Sequence, residues 1–250
     1  MHLPHDDIEA IERATLAAVP PATLEEVHGW LLGLDSGTVG RAHSALPLRH
    51  DLPPAASAVQ AIEARYAAKG LRCVLRLPHV AAFDSLRAGI APRYSDTSSP
   101  VLVQVGTVQA LAQLAGGSAA VQVADVPDAG WASVFLGEGF DPVDGASRVA
   151  ILRRARDSVF ASVQIDGRVV AVGCAGFSQG WVGIHGMRTA PACRGRGCAA
   201  SILQAFAREA QVRGIARAFL QVEEANTGAQ TLYRRAGFST AWTYSYWRAR

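Results

Sequence analysis

From Pro191 to Ala199 the chain reads Pro-Ala-Cys-Arg-Gly-Arg-Gly-Cys-Ala, two glycines and two arginines between an apolar run and an amphipathic helical pattern. Glycine admits positive φ and lets a backbone approach an anion. The first turn of a following helix presents unpaired N–H groups and the positive end of its dipole. A segment of this kind folds as a strand-to-helix turn that cradles phosphate, with Arg194 and Arg196 adding charge at its rim. Its spacing matches neither a nucleoside-triphosphate loop, which needs Gly-Lys-Ser/Thr, nor the Gly-x-Gly-x-x-Gly of a dinucleotide fold.

The flanks fit that order. Trp181 to Met187 reads as a strand, and Ala199, Ile202, Leu203, Phe206 and Ala210 fall on one helical face that Gly214 terminates. Ala216 to Val222 reads as a second buried strand, and Asn226-Thr-Gly-Ala229 leads into a short helix bearing Leu232 and Tyr233 and stopped by Gly237. Upstream, Ser158 to Ile165 and Arg168 to Phe177 are β-rich runs joined by Asp166-Gly167, a strong hairpin signal. Helices are expected after Pro127-Asp128, with Trp131, Val134 and Phe135, and over Ser147 to Ala155.

Arg194-x-x-Gly197-x-Ala199 resembles the pyrophosphate-binding motif of the GNAT superfamily of acyl-CoA-dependent N-acyltransferases. The run from Asn226 through Ala229, Leu232, Tyr233 and Gly237 to Phe238 resembles that family's second signature at every one of those positions. The resemblance covers roughly the last 130 residues. It implies an α/β (α+β) fold with a central mixed, mostly antiparallel sheet flanked by helices, and acetyl-CoA as cosubstrate. It further implies that an amine attacks the thioester directly, with no covalent enzyme intermediate. On this resemblance a central strand ending near Met187, Arg188 and Thr189 splays from its neighbour and binds the pantetheine arm through its backbone. Arg194, Gly195, Arg196, Gly197, Cys198 and Ala199 would hold the pyrophosphate, and the helices near residues 128 to 155 would border the acceptor cleft.

Acyl transfer to an amine needs an oxyanion site, an acceptor for the amine proton and a donor to the departing thiolate. In the family the tyrosine matching Tyr233 sits beside the cofactor sulfur. A phenol and a thiol differ by only about two units in pKa, so Tyr233 is expected as the general acid; the plain reading is a half-buried helix aromatic whose hydroxyl bonds a neighbour. Asn226 is a helix N-cap, a cofactor contact, or both. His185 alternates in phase with Met187 and Thr189 and titrates near neutrality, which makes it a candidate base. A structural role for His185, a carboxylate such as Glu223 or Glu224, and a chain of waters stand beside that reading.

At 250 residues and 50% hydrophobic, the chain can bury one large or two small cores. No apolar run approaches the roughly 20 residues of a membrane helix, and Met-His-Leu-Pro-His-Asp-Asp lacks the order of a signal peptide. The expectation is cytoplasmic residence without a membrane partner. Cys73, Cys174, Cys193 and Cys198 lack metal-ligand spacing, so thiols and no metal are expected. A net charge of +3 does not require nucleic acid, and the expected partner is a small-molecule or peptide amine acceptor. The alternative is a non-catalytic CoA-binding or regulatory module of the same fold.

Ala115-Gly-Gly-Ser-Ala-Ala120 reads as a link between domains at 1–117 and 118–250. Ahead of it, Val27 to Leu34 and Val39 to Leu46 look like a hairpin across Asp35-Ser36-Gly37. Pro53-Pro54 starts a helix whose Val59, Ile62 and Tyr66 share a face before Gly70. Leu71 to Leu77 and Val101 to Val105 read as strands around a short helix, Ala81 to Ala88. That order is similar to the second half of the same acyltransferase fold, with Asp51-Leu-Pro-Pro where the phosphate signature would stand. It implies a smaller, degenerate GNAT-like domain that walls the acceptor cleft. Arg41 and His43 would alternate along a strand, facing either substrate or, more simply, solvent.

Overall fold

The computed structural model describes residues 3–52, 54–55, 57–96, 99–116, 119–137 and 139–250. The first half of the chain forms α1 (His5–Ala18), β1 (Thr23–Val27), β2 (Trp30–Leu34), β3 (Ala45–Pro47), α2 (Ala58–Ala68), β4 (Val74–Pro78), α3 (Asp84–Ile90), β5 (Tyr94–Asp96), β6 (Val101–Thr107) and α4 (Val108–Ala112). The second half forms β7 (Val121–Ala124), α5 (Ala129–Ser133), α6 (Pro142–Leu152), β8 (Ser158–Ile165), β9 (Arg168–Ser178), β10 (Trp181–Thr189), α7 (Cys198–Val212), β11 (Arg217–Glu223), α8 (Thr227–Arg235) and β12 (Ser239–Ala249). The domain boundary expected at 117/118 and the helix-starting Pro53 lie outside the described residues. Val59, Ile62 and Tyr66 are buried on α2, and Gly70 follows it at φ 66°.

All twelve strands join one sheet in the order β1-β2-β3-β4-β12-β6-β11-β10-β9-β8-β7, with β5 on β12. Each half carries a hairpin, a third strand, a helix and a fourth strand parallel to the third: β3 with β4 at Ala45↔Leu75, and β10 with β11 from Trp181↔Arg217 to Ile184↔Leu220. The strand that ends each half is given to the other. β6 lies antiparallel to β11 along its whole length, β12 lies antiparallel to β4 from Tyr244↔Pro78 to Arg248↔Val74, and β6 and β12 pair with each other between them.

One face of the sheet is covered by α2 and α3 at the first half and by α4, α7 and α8 at the second. The other face carries α1, α5 and α6. Helix α1 bears on both halves: Glu12 is ion-paired with Arg76 of β4 in a buried contact, and Gln221 of β11 donates to Thr15 Oγ1 at 2.9 Å.

Three local readings are corrected. The first-half hairpin joins β1 to β2 through His28 and Gly29, at φ 49° and 76°, the pair of positive values a two-residue type I′ turn needs. The stretch from Val39 to His43, expected as a strand, is wound into tight turns instead, with Ala42 and His43 N–H both donating to Val39 C=O. Asp35 causes this: its carboxylate accepts from Ala22 N–H and Gly37 N–H and pairs with Arg154 at 2.6 Å, which turns the chain toward the second half. Helix α6 also starts earlier than expected, at Pro142, because Asp141 caps it by accepting from Asp144 N–H at 2.8 Å. The 158–178 hairpin turns at Asp166 and Gly167, both at positive φ, as its sequence requires.

Candidate active site

Strands β10 and β11 part at the centre of the second half. Their pairing ends at Ile184↔Leu220; β11 goes on beside β6 to Glu223, while β10 goes on beside β9 to Thr189. Beyond Ile184 the β11 side of β10 is therefore open. On the β9 side the register slips between His185 and Arg188, where Gly186 takes φ 60°. A bulge of this kind re-aims side chains, and here it breaks the alternation that would have put His185 and Met187 on one face. Met187 packs on the α7 side, against the cluster containing Ile202 and Phe206. His185 lies on the opposite side, its ring 5.7 Å from Phe219 edge to face.

His185 is 2% exposed, and Arg41 Nη1 donates to its Nδ1 at 3.0 Å. Arginine cannot accept, so Nδ1 is the acceptor and the neutral ring carries its proton on Nε2. Burial, and next the Arg41 charge, hold His185 well below its ordinary pKa. Nδ1 is committed in this state while the buried Nε2–H has no partner among the described residues, and protonating Nδ1 would cost the Arg41 bond beside a like charge. His185 therefore stands as a neutral imidazole held by Arg41 on the side of the sheet opposite α7.

Arg41 occupies this position because the Asp35–Ser44 segment folds onto α6. Thr38 N–H donates to Ser147 Oγ at 2.9 Å and Thr38 Oγ1 to Asp144 Oδ1 at 2.8 Å. The first half thus places an arginine beside the opening of β10, which corrects the solvent-facing reading of Arg41. His43 turns elsewhere, to Arg72 C=O at 3.1 Å.

Before α7, Gly195 and Gly197 take φ 76° and 78°, and Arg194 and Arg196 are exposed. A side chain at Gly195 would grow into open space, and the first-turn N–H groups of α7 lack helical partners by geometry. The turn has open space in front of it and a geometry that an anion could occupy. Cys198 is buried at its base, Cys193 packs near it, Ala199 is half-buried beside it, and all four cysteines are unpaired.

Tyr233 of α8 is 7% exposed, packs against Phe238 at 6.1 Å, and shares the cluster containing Cys198 and Ile202 of α7. Among the described residues its hydroxyl has no hydrogen-bond partner, so the bonded-neighbour reading finds no support. Burial pushes the phenol up to about 12, against a lowering pull from Arg41. Asn226 caps α8, its Oδ1 accepting from Ala229 N–H at 3.1 Å.

Glu223 stands exposed at the end of β11 and forms no ion pair among the described residues; Glu224 beside it donates its N–H to Pro100 C=O. Arg188 points at α6, its guanidinium 4.1 Å from the Phe140 ring centroid and 3.4 Å from Asp144, and Thr189 pairs with Ala171. Among the described residues no cluster of three His, Cys, Asp or Glu could hold a metal, and no helix is long and apolar enough to cross a membrane.

Comparison with known proteins agrees with this geometry. A family model described as "Probable histone acetyltransferase Rv0428c C-terminal" matches residues 6–247. A Bacillus subtilis (strain 168) protein named "Uncharacterized N-acetyltransferase YobR" is 24% identical over 244 residues, 96% of this chain and 98% of that one. A GCN5-related N-acetyltransferase from Kribbella flavida superposes with a TM-score of 0.69 at 18% identity, over 100% of this chain and 96% of the other. A tandem GNAT protein from the clavulanic acid biosynthesis pathway superposes with a TM-score of 0.62 at 12% identity, over 99% and 96%.

Proposed function

Given that the chain belongs to the Rv0428c C-terminal acetyltransferase family and has the fold of a GNAT N-acetyltransferase, we propose that it moves an acetyl group from acetyl-CoA to a primary amine of a small molecule or peptide, by direct attack within a ternary complex. The observation that carries this is the pairing of two features: an anion cradle at the start of α7 and a neighbouring strand, β10, left open beyond Ile184. Acetyl-CoA supplies the acetyl thioester. Gly195, Gly197 and the first turn of α7, with Arg194 and Arg196, would hold its pyrophosphate, and the open backbone of Met187 to Thr189 its pantetheine arm.

Tyr233 then donates a proton to the departing thiolate, a role suited to a phenol that burial keeps neutral. Glu223, an exposed carboxylate on the strand across the opening from β10, accepts the amine proton through water. His185 and Arg41 shape the acceptor side. We assign residues 118–250 as the catalytic unit, with the first half contributing Arg41 and the segment around Thr38 to its cleft.

Calorimetric titration of the full chain with acetyl-CoA tests the donor site. Saturable binding is expected, weakened about tenfold or more for each charge-assisted hydrogen bond lost in Arg194→Ala/Arg196→Ala. No binding by the folded wild type overturns the reading; binding without thiol release on any amine reduces it to a non-catalytic CoA-binding module.

A further inference from the structure

Arg41 is held against the β10 bulge with no carboxylate in ion-pair range among the described residues, and its one side-chain hydrogen bond goes to neutral His185. Arg41 is half-buried, and a guanidinium drawn partly out of water is unfavourable unless an anion meets it, so arginines in such places are normally paired. The groups facing this one supply no anion. They are the phenols of Tyr233, Tyr244 and Tyr246, the Cys174 thiol, the imidazole of His185, and two further cations, Arg148 and Arg76. Arg76 is already paired with Glu12. Arg148 pairs with Asp144 at 2.6 Å, and the same carboxylate serves Arg188 at 3.4 Å and Thr38 at 2.8 Å. Of the three guanidiniums beside the cleft, Arg148 and Arg188 share the Asp144 carboxylate and Arg41 has none in ion-pair range among the described residues.

The excess charge faces a space. A cavity of about 10 Å³ is lined by Arg41, Arg148, Val39, Phe135, Leu152 and Gly186. Gly186 is the bulge residue of β10, so the cavity abuts the strand edge where the amine must arrive. It has about the room of one ordered water, so an acceptor's carboxylate would meet Arg41 at its mouth and not within it. With Nη1 given to His185, Arg41 keeps its Nε and Nη2 edge, the fork that grips a carboxylate with two parallel hydrogen bonds.

We infer that the acceptor is an amine that also carries a carboxylate, a free amino acid or a peptide presenting its carboxylate near the amine, and that Arg41 and the charge of Arg148 select it. This rests on the acetyltransferase reading and goes beyond it by naming the acceptor class. A polybasic protein tail is the disfavoured acceptor, because its charges would meet the same three arginines.

The test uses the full chain with saturating acetyl-CoA and thiol release as readout. The panel is the common amino acids beside their C-terminal amides, with rates compared per unprotonated amine. At least one acid should exceed its amide by about thirtyfold or more in kcat/KM, the size of a buried charge-pair contribution. In Arg41→Gln that ratio should fall to near one, mainly through KM, and Arg41→Lys should restore part of it. Acids and amides used equally, or no acid used by an enzyme that binds acetyl-CoA, overturns the inference and leaves the donor reading standing. Failure to bind acetyl-CoA takes both down. If Arg41→Gln does not fold, the acid-to-amide ratio of the wild type decides alone.

Discussion

Tyr233 shows how far a single side chain can be argued. Its environment is apolar, its hydroxyl has no partner among the described residues, and burial lifts its pKa to about 12. A raised pKa keeps the phenol protonated until pH approaches that value, so the proposed proton donor would be intact throughout the neutral and moderately alkaline range. Tyr233→Phe should lower kcat by about 10² or more while calorimetry shows little change in acetyl-CoA affinity. Equal loss of both would remove the proton-donor role. The helix that carries Tyr233 and the turn from Arg194 to Ala199 were legible in the sequence because their structure is local: turn glycines and helix starts. Arg41 was legible only as a residue facing either substrate or solvent, because its contact with His185 spans 144 positions and no short-range pattern encodes that.

The elements around the cleft owe their places to close approach. Gly145 of α6 sits against the carbonyl of Phe135, so close that a Cβ there would overlap the carbonyl oxygen. Gly145→Ala must push α6 outward, carrying Arg148, Ile151 and Leu152 away from Gly186. We expect a loss of about 2 kcal/mol or more in chemical denaturation and a rise in KM for the acceptor that exceeds any change in acetyl-CoA affinity. An unchanged midpoint would mean that α6 is not fixed by this contact. The Ser158–Phe177 hairpin and α7 were readable from period and turn chemistry. The first-half hairpin was misplaced because His28-Gly29 is a weaker written signal than Asp35-Ser36-Gly37, yet only the former adopts the turn that matches strand twist. The break in alternation at Gly186 was hidden for a related reason: a bulge is a property of two paired strands, and one strand's sequence does not record it.

At the scale of the molecule, the two halves are bound by the strands they exchange, β6 and β12, and by α1, which bridges them. A chain cut by protease at a site inserted between residues 115 and 119 should stay together through gel filtration and part only in denaturant. Fragments that separate under native conditions would show that the exchanged strands do not hold the halves. The repeat of element order in the first half was visible in sequence, but the exchange was not, since either pairing satisfies the same alternation of apolar residues. The exchange also sets a timetable. Val74 pairs with Arg248, so while the chain is being made, the edge of β4 stands without its final neighbour until β12 has left the ribosome. For most of its synthesis the nascent protein therefore presents an open strand edge, whose protection falls to the cell's chaperones before it falls to the fold.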